Sequence, residues 1–160
     1  MDYSFIIRRA EPVAEDAEAI KMVMQDAFSK YKQDAGISGL PGALTETLDE
    51  IMEDIRSSYV YLAFVDGEPV GSIRIHLESD EYAYIKRFGV RNGYQNIGVG
   101  KSFMNLADKL LRTKGIKKAG LHTASKYTAL MRFYYGCGFY VQSTSEDRGY
   151  LRAFLVKDIV

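Results

Sequence analysis

The sequence predicts an α+β fold, with a single domain over residues 1–160 built around one mixed β-sheet. Three observations lead to this prediction. The 160 residues suit one domain, because single domains commonly contain about 100–150 residues. Three strands follow one another in the middle of the chain, which is typical of an antiparallel meander. A strand-helix-strand segment comes next and should place two strands in parallel. The predicted order is β-α-α-β-β-β-α-β-α-β-β.

The composition is that of an ordinary folded protein and excludes several classes of function. Apolar residues make up 47% and charged residues 26% of the chain, far from the composition of a disordered protein. Lys plus Arg balance Asp plus Glu at 21 each, so we expect no nucleic-acid partner and no membrane association. No apolar run approaches the ~20 residues of a membrane span, and the first residues do not resemble a signal peptide. With Cys137 as the single cysteine, we expect a cytoplasmic protein without disulfides.

The first third of the chain predicts one strand and two helices. Residues 5–9 are apolar and partly β-branched, as in a short strand. From Pro12 onward, apolar residues recur at steps of three and four, which indicates an amphipathic helix. Glycines and a proline interrupt the pattern over residues 36–42. A second helix then runs from Leu44 to Ile55, and its acidic outer face should be solvated.

The middle of the chain predicts the meander. Residues 59–65 and 70–77 flank Asp66-Gly67, a dipeptide that favours a tight hairpin because both positions tolerate positive φ. The second arm alternates apolar and polar residues, so Arg74 and His76 are expected on the solvent side. A third strand covers residues 82–90 after a polar break.

The last third alternates helices and strands. A helical stripe extends from Gly98 to Gly115, and residues 119–123 return to a strand. These elements, with the strand at residues 82–90, form the predicted parallel β-α-β core. Residues 127–135 predict a short aromatic helix, and two strands follow at 139–143 and 150–156.

The glycine-rich segment Gln95-Asn96-Ile97-Gly98-Val99-Gly100 lies between a predicted strand and a predicted helix. Glycines at such a junction let backbone amides approach an anion, and the helix N-terminus adds about half a positive charge. A pyrophosphate group fits this site. The third position after Gly100 is Phe103, which argues against a dinucleotide-binding fingerprint of the Rossmann type.

A P-loop is a second candidate for this segment, because Gly100-Lys101-Ser102 matches the end of that motif. However, Gln95 occupies the position of its first glycine, and no apolar strand ending in aspartate follows to hold magnesium. A purely structural glycine turn is a third possibility, since glycine is common in tight turns.

The same segment resembles the CoA-binding motif of the GNAT superfamily of N-acetyltransferases, which is Arg or Gln, two residues, Gly, any residue, then Gly or Ala. The resemblance continues upstream at Phe88-Gly89-Val90 and downstream at residues 133–139, where Phe-Tyr-Tyr-Gly-Cys-Gly-Phe is similar to a second family motif. It implies a GNAT-like fold, acetyl-CoA as acyl-donor cosubstrate, no metal, and direct transfer to a primary amine. The alternatives are a non-catalytic acyl-CoA-binding module and a P-loop nucleotide-binding protein.

The resemblance also implies roles for individual residues. Backbone groups of Phe88 and Val90 would lie beside the pantetheine arm, where the family strand bulges away from its parallel neighbour. Tyr127 replaces a family asparagine that helps to hold pantetheine. The pyrophosphate would be bound by consecutive backbone amides, with an added charge from the lysine: Gln95, Asn96, Ile97, Gly98, Val99, Gly100, Lys101 and Ser102.

Tyr134 matches the family tyrosine that protonates the leaving thiolate, so we expect it to be the general acid. Two residues are candidates for the base, Glu81 just before the third meander strand and His122 on the strand parallel to it. The acceptor is an amine of unknown size, and the acidic second helix with Glu146-Asp147 would suit a cationic one. Edge strands could pair two copies into a homodimer.

Overall fold

The computed structural model describes residues 3–160, which form a seven-stranded mixed sheet in the order β1-β2-β3-β4-β5-β7-β6. Met1 and Asp2, at the start of the segment judged unlike a signal peptide, lie outside the described residues. The elements along the chain are β1 (Phe5–Arg9), α1 (Ala14–Ala35), α2 (Gly42–Thr45), α3 (Leu48–Ser57), β2 (Tyr59–Val65), β3 (Glu68–Leu77), β4 (Tyr82–Val90), α4 (Val99–Thr113), β5 (Lys118–Ala124), α5 (Thr128–Gly136), β6 (Tyr140–Ser145) and β7 (Arg152–Asp158).

The predicted fold class is confirmed. Strands β4 and β5 pair in parallel, and the other neighbouring strands pair antiparallel. One detail differs, because the predicted second helix is divided into α2 and α3. Thr47 caps α3 by accepting a hydrogen bond of 3.2 Å from the Glu50 amide, while the Glu50 carboxylate accepts one of 2.9 Å from the Thr47 amide. This capping box starts a new helix at Leu48 and leaves Leu44 in the preceding short one.

Helices cover both faces of the sheet, as strand β2 demonstrates. Val60 and Leu62 belong to one buried cluster, which includes apolar residues of α1 and α3. Ala63 and Val65 belong to another, which includes residues of α4 and α5. Because successive side chains of a strand point to opposite faces, the two clusters lie on opposite sides of the sheet.

The expectation that the polar face of β3 meets solvent is wrong for Arg74. Its side chain is 0% exposed, because α1 and α3 cover this face. The guanidinium donates hydrogen bonds of 2.7 and 2.8 Å to Glu46 and one of 2.8 Å to Asp54. A buried charge needs such partners, since removing it from water is otherwise costly. Two carboxylates of the predicted acidic face therefore point inward and hold α2 and α3 against the sheet.

Strand β4 bulges and then separates from β5. The register against β3 places Arg74 opposite Lys86 and Ser72 opposite Gly89, so two residues of β4 lie opposite one residue of β3. Arg87, in the bulge, has a positive φ of 53°. Pairing with β5 ends at Tyr84, although β4 continues to Val90. The sheet is therefore open between the two parallel strands at the level of the bulge.

Two further properties concern residues 3–160. None of their helices is long and apolar enough to cross a membrane. No group of three or more His, Cys, Asp or Glu side chains among them is arranged to hold a metal ion.

Candidate active site

The glycine turn has the geometry of an anion site. Gly93, Asn96 and Gly98 adopt positive φ values of 93°, 65° and 93°, and α4 begins directly after Gly98. The first amides of a helix have no partner inside the helix, so those of Val99, Gly100 and Lys101 are free to meet an anion. The amide of Ser102 is not free, because it donates a hydrogen bond of 2.9 Å to the Gly98 carbonyl. The predicted contribution of the Ser102 amide is therefore wrong.

A cavity of about 680 Å³ extends from this turn along β4 to the start of α5. Of the predicted CoA-binding residues, its wall contains Phe88, Val90, Gln95, Asn96, Gly98, Gly100, Lys101 and Tyr127. Ile97 and Val99 are outside this wall; the Ile97 side chain is exposed, and the Val99 side chain is buried in the core. Only their backbones remain available for the predicted role.

Gly100 allows α4 to approach the aromatic residues beside the cavity. A Cβ atom at this position would lie 3.1 Å from the Phe133 ring and 3.2 Å from the Phe88 ring. Those two rings stack on each other with centroids 5.7 Å apart and planes 8° apart. Any longer side chain would displace rings that form the cavity wall.

The opening of the sheet leaves backbone amides of β4 without strand partners. The Arg91 amide donates a hydrogen bond of 2.7 Å to Val70 on the β3 side. Because amide directions alternate along a strand, the Val90 amide points the other way, into the opening. Phe88 precedes it by two residues. Both residues line the cavity.

A second cavity, of about 510 Å³, adjoins the first. Phe28, Tyr31, Phe88 and Leu130 line both, so the two cavities meet at these four side chains. The second cavity continues between α2, the bulge of β4, the outer half of β5 and the loop before β7. A ligand that extends from the turn along the first cavity would end at this junction.

Tyr134 lines the second cavity from the last turn of α5. It is 4% exposed and packs against Phe88, Phe133 and Phe139, with ring centroids 5.6–6.1 Å apart. Burial raises the pKa of its hydroxyl well above the usual range, so the phenol stays protonated at physiological pH. The neighbouring Tyr135 is 50% exposed and lines neither cavity. Tyr134 therefore presents a protonated phenol to the second cavity, next to Phe88 of the junction.

His122 lies across the second cavity on β5. Its Nδ1 is 2.6 Å from the Tyr84 hydroxyl, and its ring stacks on Phe154 with centroids 4.8 Å apart. Burial, followed by the charges of Arg152 and Arg148, lowers the pKa of His122. The imidazole is therefore neutral near pH 7, as a base must be before it accepts a proton.

The prediction of Glu81 as a base is wrong. Glu81 is exposed, precedes β4, and lines neither cavity. Its carbonyl accepts hydrogen bonds from Lys117 and Lys118 at the opposite end of the parallel pair. Phe88 follows it by seven residues, and a strand of that length spans roughly 20 Å. The carboxylate therefore lies too far from the junction to take part in proton transfer.

Several residues that line the cavities had no individual role predicted from the sequence. Tyr31 accepts a hydrogen bond of 2.8 Å from the Ala124 amide and lines both cavities. Its ring also packs against Tyr127, with centroids 5.6 Å apart. The second cavity is further lined by Tyr84, Lys86, Arg87, Arg148, Tyr150 and Arg152.

Comparisons with known proteins agree with this architecture. The PaiA N-acetyltransferase of Thermoplasma acidophilum, solved in complex with coenzyme A, is similar with a TM-score of 0.82 and 21% identity over 97% of this chain and 99% of that one. A GNAT-family acetyltransferase of Staphylococcus aureus gives a TM-score of 0.78 and 18% identity over 98% and 100%. Ard1 of Thermoplasma volcanium gives 0.75 and 20% over 98% of each chain. No curated protein sequence matches the chain.

Fold and site together define an acyl-CoA-dependent transferase. The sequence model of the acetyltransferase (GNAT) family matches residues 22–139, and the chain belongs to this family. The matched range includes the glycine turn, the bulge of β4 and Tyr134. The P-loop interpretation of Gly100-Lys101-Ser102 loses its basis with this assignment.

Proposed function

We propose that the protein is an N-acetyltransferase that transfers the acetyl group of acetyl-CoA to a primary amine by direct attack within a ternary complex. The observation that carries the proposal is the junction of the two cavities beside Phe88 and Tyr134. A donor in one cavity and an acceptor in the other would meet there. No covalent intermediate on the enzyme is needed.

The first cavity would hold acetyl-CoA as a substrate. The free amides at the start of α4 and the Lys101 ammonium would bind the pyrophosphate. Phe88 and Val90 would position the pantetheine arm in the opening of the sheet. The Val90 amide would donate a hydrogen bond to the arm, and a β4 amide beside the thioester would stabilise the negative charge that develops on its oxygen. Tyr127, with the nearby Ser125 hydroxyl, would contact the arm from the start of α5. The Ser125 oxygen is buried without a partner among the described residues.

His122 would act as the base. An ammonium group entering the second cavity transfers one proton to the neutral imidazole, and the resulting amine has the lone pair that attack requires. For this role Nδ1–H donates to the Tyr84 oxygen, which leaves the lone pair on Nε2 free. The imidazolium then releases its proton to solvent.

Tyr134 would complete the transfer. As the C–N bond forms and the C–S bond breaks, the phenol gives its proton to the leaving thiolate sulfur. The remaining surplus proton on the nitrogen then restores the phenol. The products are an N-acetyl amine and CoA, and each ammonium consumed releases one proton. Cys137 has no part in this scheme, because it is buried and burial raises the pKa of its thiol.

The alternative to an enzyme is a non-catalytic module that only binds acyl-CoA. Such a module would need the first cavity only. The second cavity, lined by a protonated phenol on one side and a neutral imidazole on the other, supports turnover instead.

The test is to mix the purified protein with acetyl-CoA and a broad panel of primary amines and to measure the release of free CoA. Initial rates at varied concentrations of both substrates should give intersecting lines, as expected for a ternary complex; parallel lines would indicate a covalent intermediate. Calorimetry with CoA provides the separate binding measurement. Tight CoA binding without acetylation of any amine would contradict the enzyme and favour the binding module. The cytoplasmic location and the homodimer stay predictions.

A further inference from the structure

Four cationic residues are among those that line the second cavity. Lys86 and Arg87 come from the bulged end of β4, Arg148 from the loop before β7, and Arg152 from the start of β7. No aspartate or glutamate is among the residues that line it within the described part of the chain. This is the opposite of the cationic-amine site that the acidic helix and Glu146-Asp147 led us to expect.

The carboxylates closest to these cations lie behind the cavity wall, and most are already bound to other groups. Glu46 is 3.6 Å from Arg87 but accepts two shorter hydrogen bonds from the buried Arg74. Asp54 is 3.3 Å from Lys86 and is shared with Arg74 in the same way. The exposed Glu50 is also close enough to Arg87 to interact with its charge.

On the other side of the cavity, Asp147 is 3.5 Å from Arg152 and largely exposed. Arg148 adds a further positive charge from the same loop. The region contains five positive side chains, which are the four lining cations and the buried Arg74. It contains four negative ones: Glu46, Glu50, Asp54 and Asp147. The side that faces the cavity is therefore positive.

Three of the four cations act on one hydroxyl of the cavity wall. The charges of Arg152, Arg148 and Arg87 all act on the Tyr84 hydroxyl, which is hydrogen-bonded to His122. Arg87 lines this cavity, and its buried Nε makes no hydrogen bond among the described residues, with Glu46 Oε2 as an ion-pair contact 3.6 Å away. Buried polar groups are normally paired, so the Arg87 guanidinium has hydrogen-bonding capacity left beside its 3.6 Å contact with Glu46.

We propose that the acceptor is a small amine that also carries a carboxylate, held by Arg87, Arg148 and Arg152 in the second cavity. This inference rests on the proposed function and adds the substrate class. Guanidinium groups bind carboxylates through paired, charge-assisted hydrogen bonds. A cavity of about 510 Å³ matches the size of small-molecule sites.

The same cations assist the chemistry of this substrate class. They pair with the carboxylate of the acceptor, so that no unpaired negative charge is buried when the acceptor binds. Burial, followed by the charges of Arg152 and Arg148, lowers the pKa of His122 and keeps the proposed base neutral. An acceptor whose only charge is its ammonium would be repelled by the same field.

The experiment compares each carboxylate with its uncharged counterpart. The amines are the proteinogenic α-amino acids and ω-amino acids of three to five carbons, each paired with its carboxamide, plus short peptides with acidic residues. We expect kcat/KM for at least one acid to exceed that of its carboxamide by tenfold or more. Arg148→Gln and Arg152→Gln should reduce this ratio at least fivefold. Arg132→Gln is the matched control, because Arg132 is exposed on α5 and lines neither cavity.

The outcomes are separable from those of the proposed function. If carboxamides or plain alkylamines are acetylated as well as the acids, the carboxylate proposal is overturned and the acetyltransferase stands. If only the peptides react, the small-molecule class is overturned.

If no amine is acetylated, the proposed function fails, and calorimetry with the same acids then tests the carboxylate site by itself. Binding that is lost in Arg148→Gln supports the carboxylate site, and absence of binding overturns it. Arg148 is on an exposed loop, so this variant avoids the folding risk of changing the buried Arg152.

Discussion

The Tyr84 hydroxyl lies 2.6 Å from Nδ1 of His122, and this contact joins two strands that are parallel neighbours only up to Tyr84. Both residues line the second cavity, beside the opening of the sheet. The contact fixes the imidazole ring, which is also stacked on Phe154. One nitrogen is thereby occupied and the other is left for chemistry in the second cavity.

The first prediction concerns the pH dependence of the base. The pKa of His122 lies below its ordinary value of 6.5, so the neutral form predominates at neutral pH and is lost as pH falls through the lowered pKa. We expect kcat/KM to fall on that acidic side. Arg148→Gln removes a positive neighbour, which stabilises the imidazolium, raises the pKa and shifts the acidic limb to higher pH.

Proton NMR titration measures this pKa directly, since the chain has only two histidines and His122→Gln assigns the signals. The same variant should lower kcat by 10²- to 10³-fold if the imidazole is the base, roughly the contribution of general bases elsewhere. Arg132→Gln should leave the titration unchanged. A pKa that does not respond to Arg148→Gln would refute the electrostatic explanation.

The second prediction concerns the general acid. Tyr134→Phe removes the proton donor but keeps the ring that packs against Phe88, so we expect kcat to fall by about 10²- to 10³-fold. The affinity for CoA, measured by calorimetry, should change less than threefold. Tyr135→Phe makes the same chemical change on an exposed neighbour and should leave both quantities unaltered. Equal activity of the two variants would exclude Tyr134 as the acid.

The third prediction concerns the glycine turn. Gly98 has a φ of 93°, and this backbone region is unfavourable for residues with a Cβ by about 1–2 kcal/mol. Gly98→Ala should therefore distort the turn and weaken CoA binding about 5- to 30-fold. Gly136→Ala is the control, because Gly136 is helical, has open space around it and lines neither cavity. Unchanged CoA affinity in Gly98→Ala would argue that the turn does not bind the pyrophosphate.

The fourth prediction concerns the buried arginine. Arg74→Met leaves Glu46 and Asp54 without their main partner beneath α3, and removing one member of a buried ion pair typically costs about 3–5 kcal/mol. Urea unfolding should record a loss of this size. Arg56→Met is the matched control, since Arg56 is 57% exposed and its contact with Glu53 is 4.0 Å long. It should change the free energy of unfolding by less than about 0.5 kcal/mol. Similar losses in both variants would contradict the buried network.

The parts of the site that lie close together in the sequence were predictable. The strand-turn-helix segment around Gly98 requires positive φ, a helix start and free amides within a few residues, and each leaves a local signature. Tyr134 was found because its motif continues directly into Gly138, which has a φ of 98°. The bulge of β4 followed only from the family resemblance, since no local pattern marks Arg87.

Features that depend on distant residues were missed or misplaced. Alternation along β3 shows that Arg74 and Ile75 face opposite ways, but it does not tell whether a helix covers the polar face. Glu81 is near Phe88 in sequence, yet an extended strand carries the two apart. The partner of His122 is 38 residues away along the chain.

Local chemistry along the chain thus accounts for the order of elements, the glycine turn and the family of this protein, because backbone conformation and motif spacing are short-range properties. The charge of the acceptor cavity has another origin. It arises where β4, β7 and the loop before β7 bring arginines together. Glu46 and Asp54 do not line this cavity, and both accept hydrogen bonds from the buried Arg74. Such an arrangement depends on which residues the packed sheet and helices place within a few ångströms of each other, and pairs that are far apart in sequence leave no local pattern.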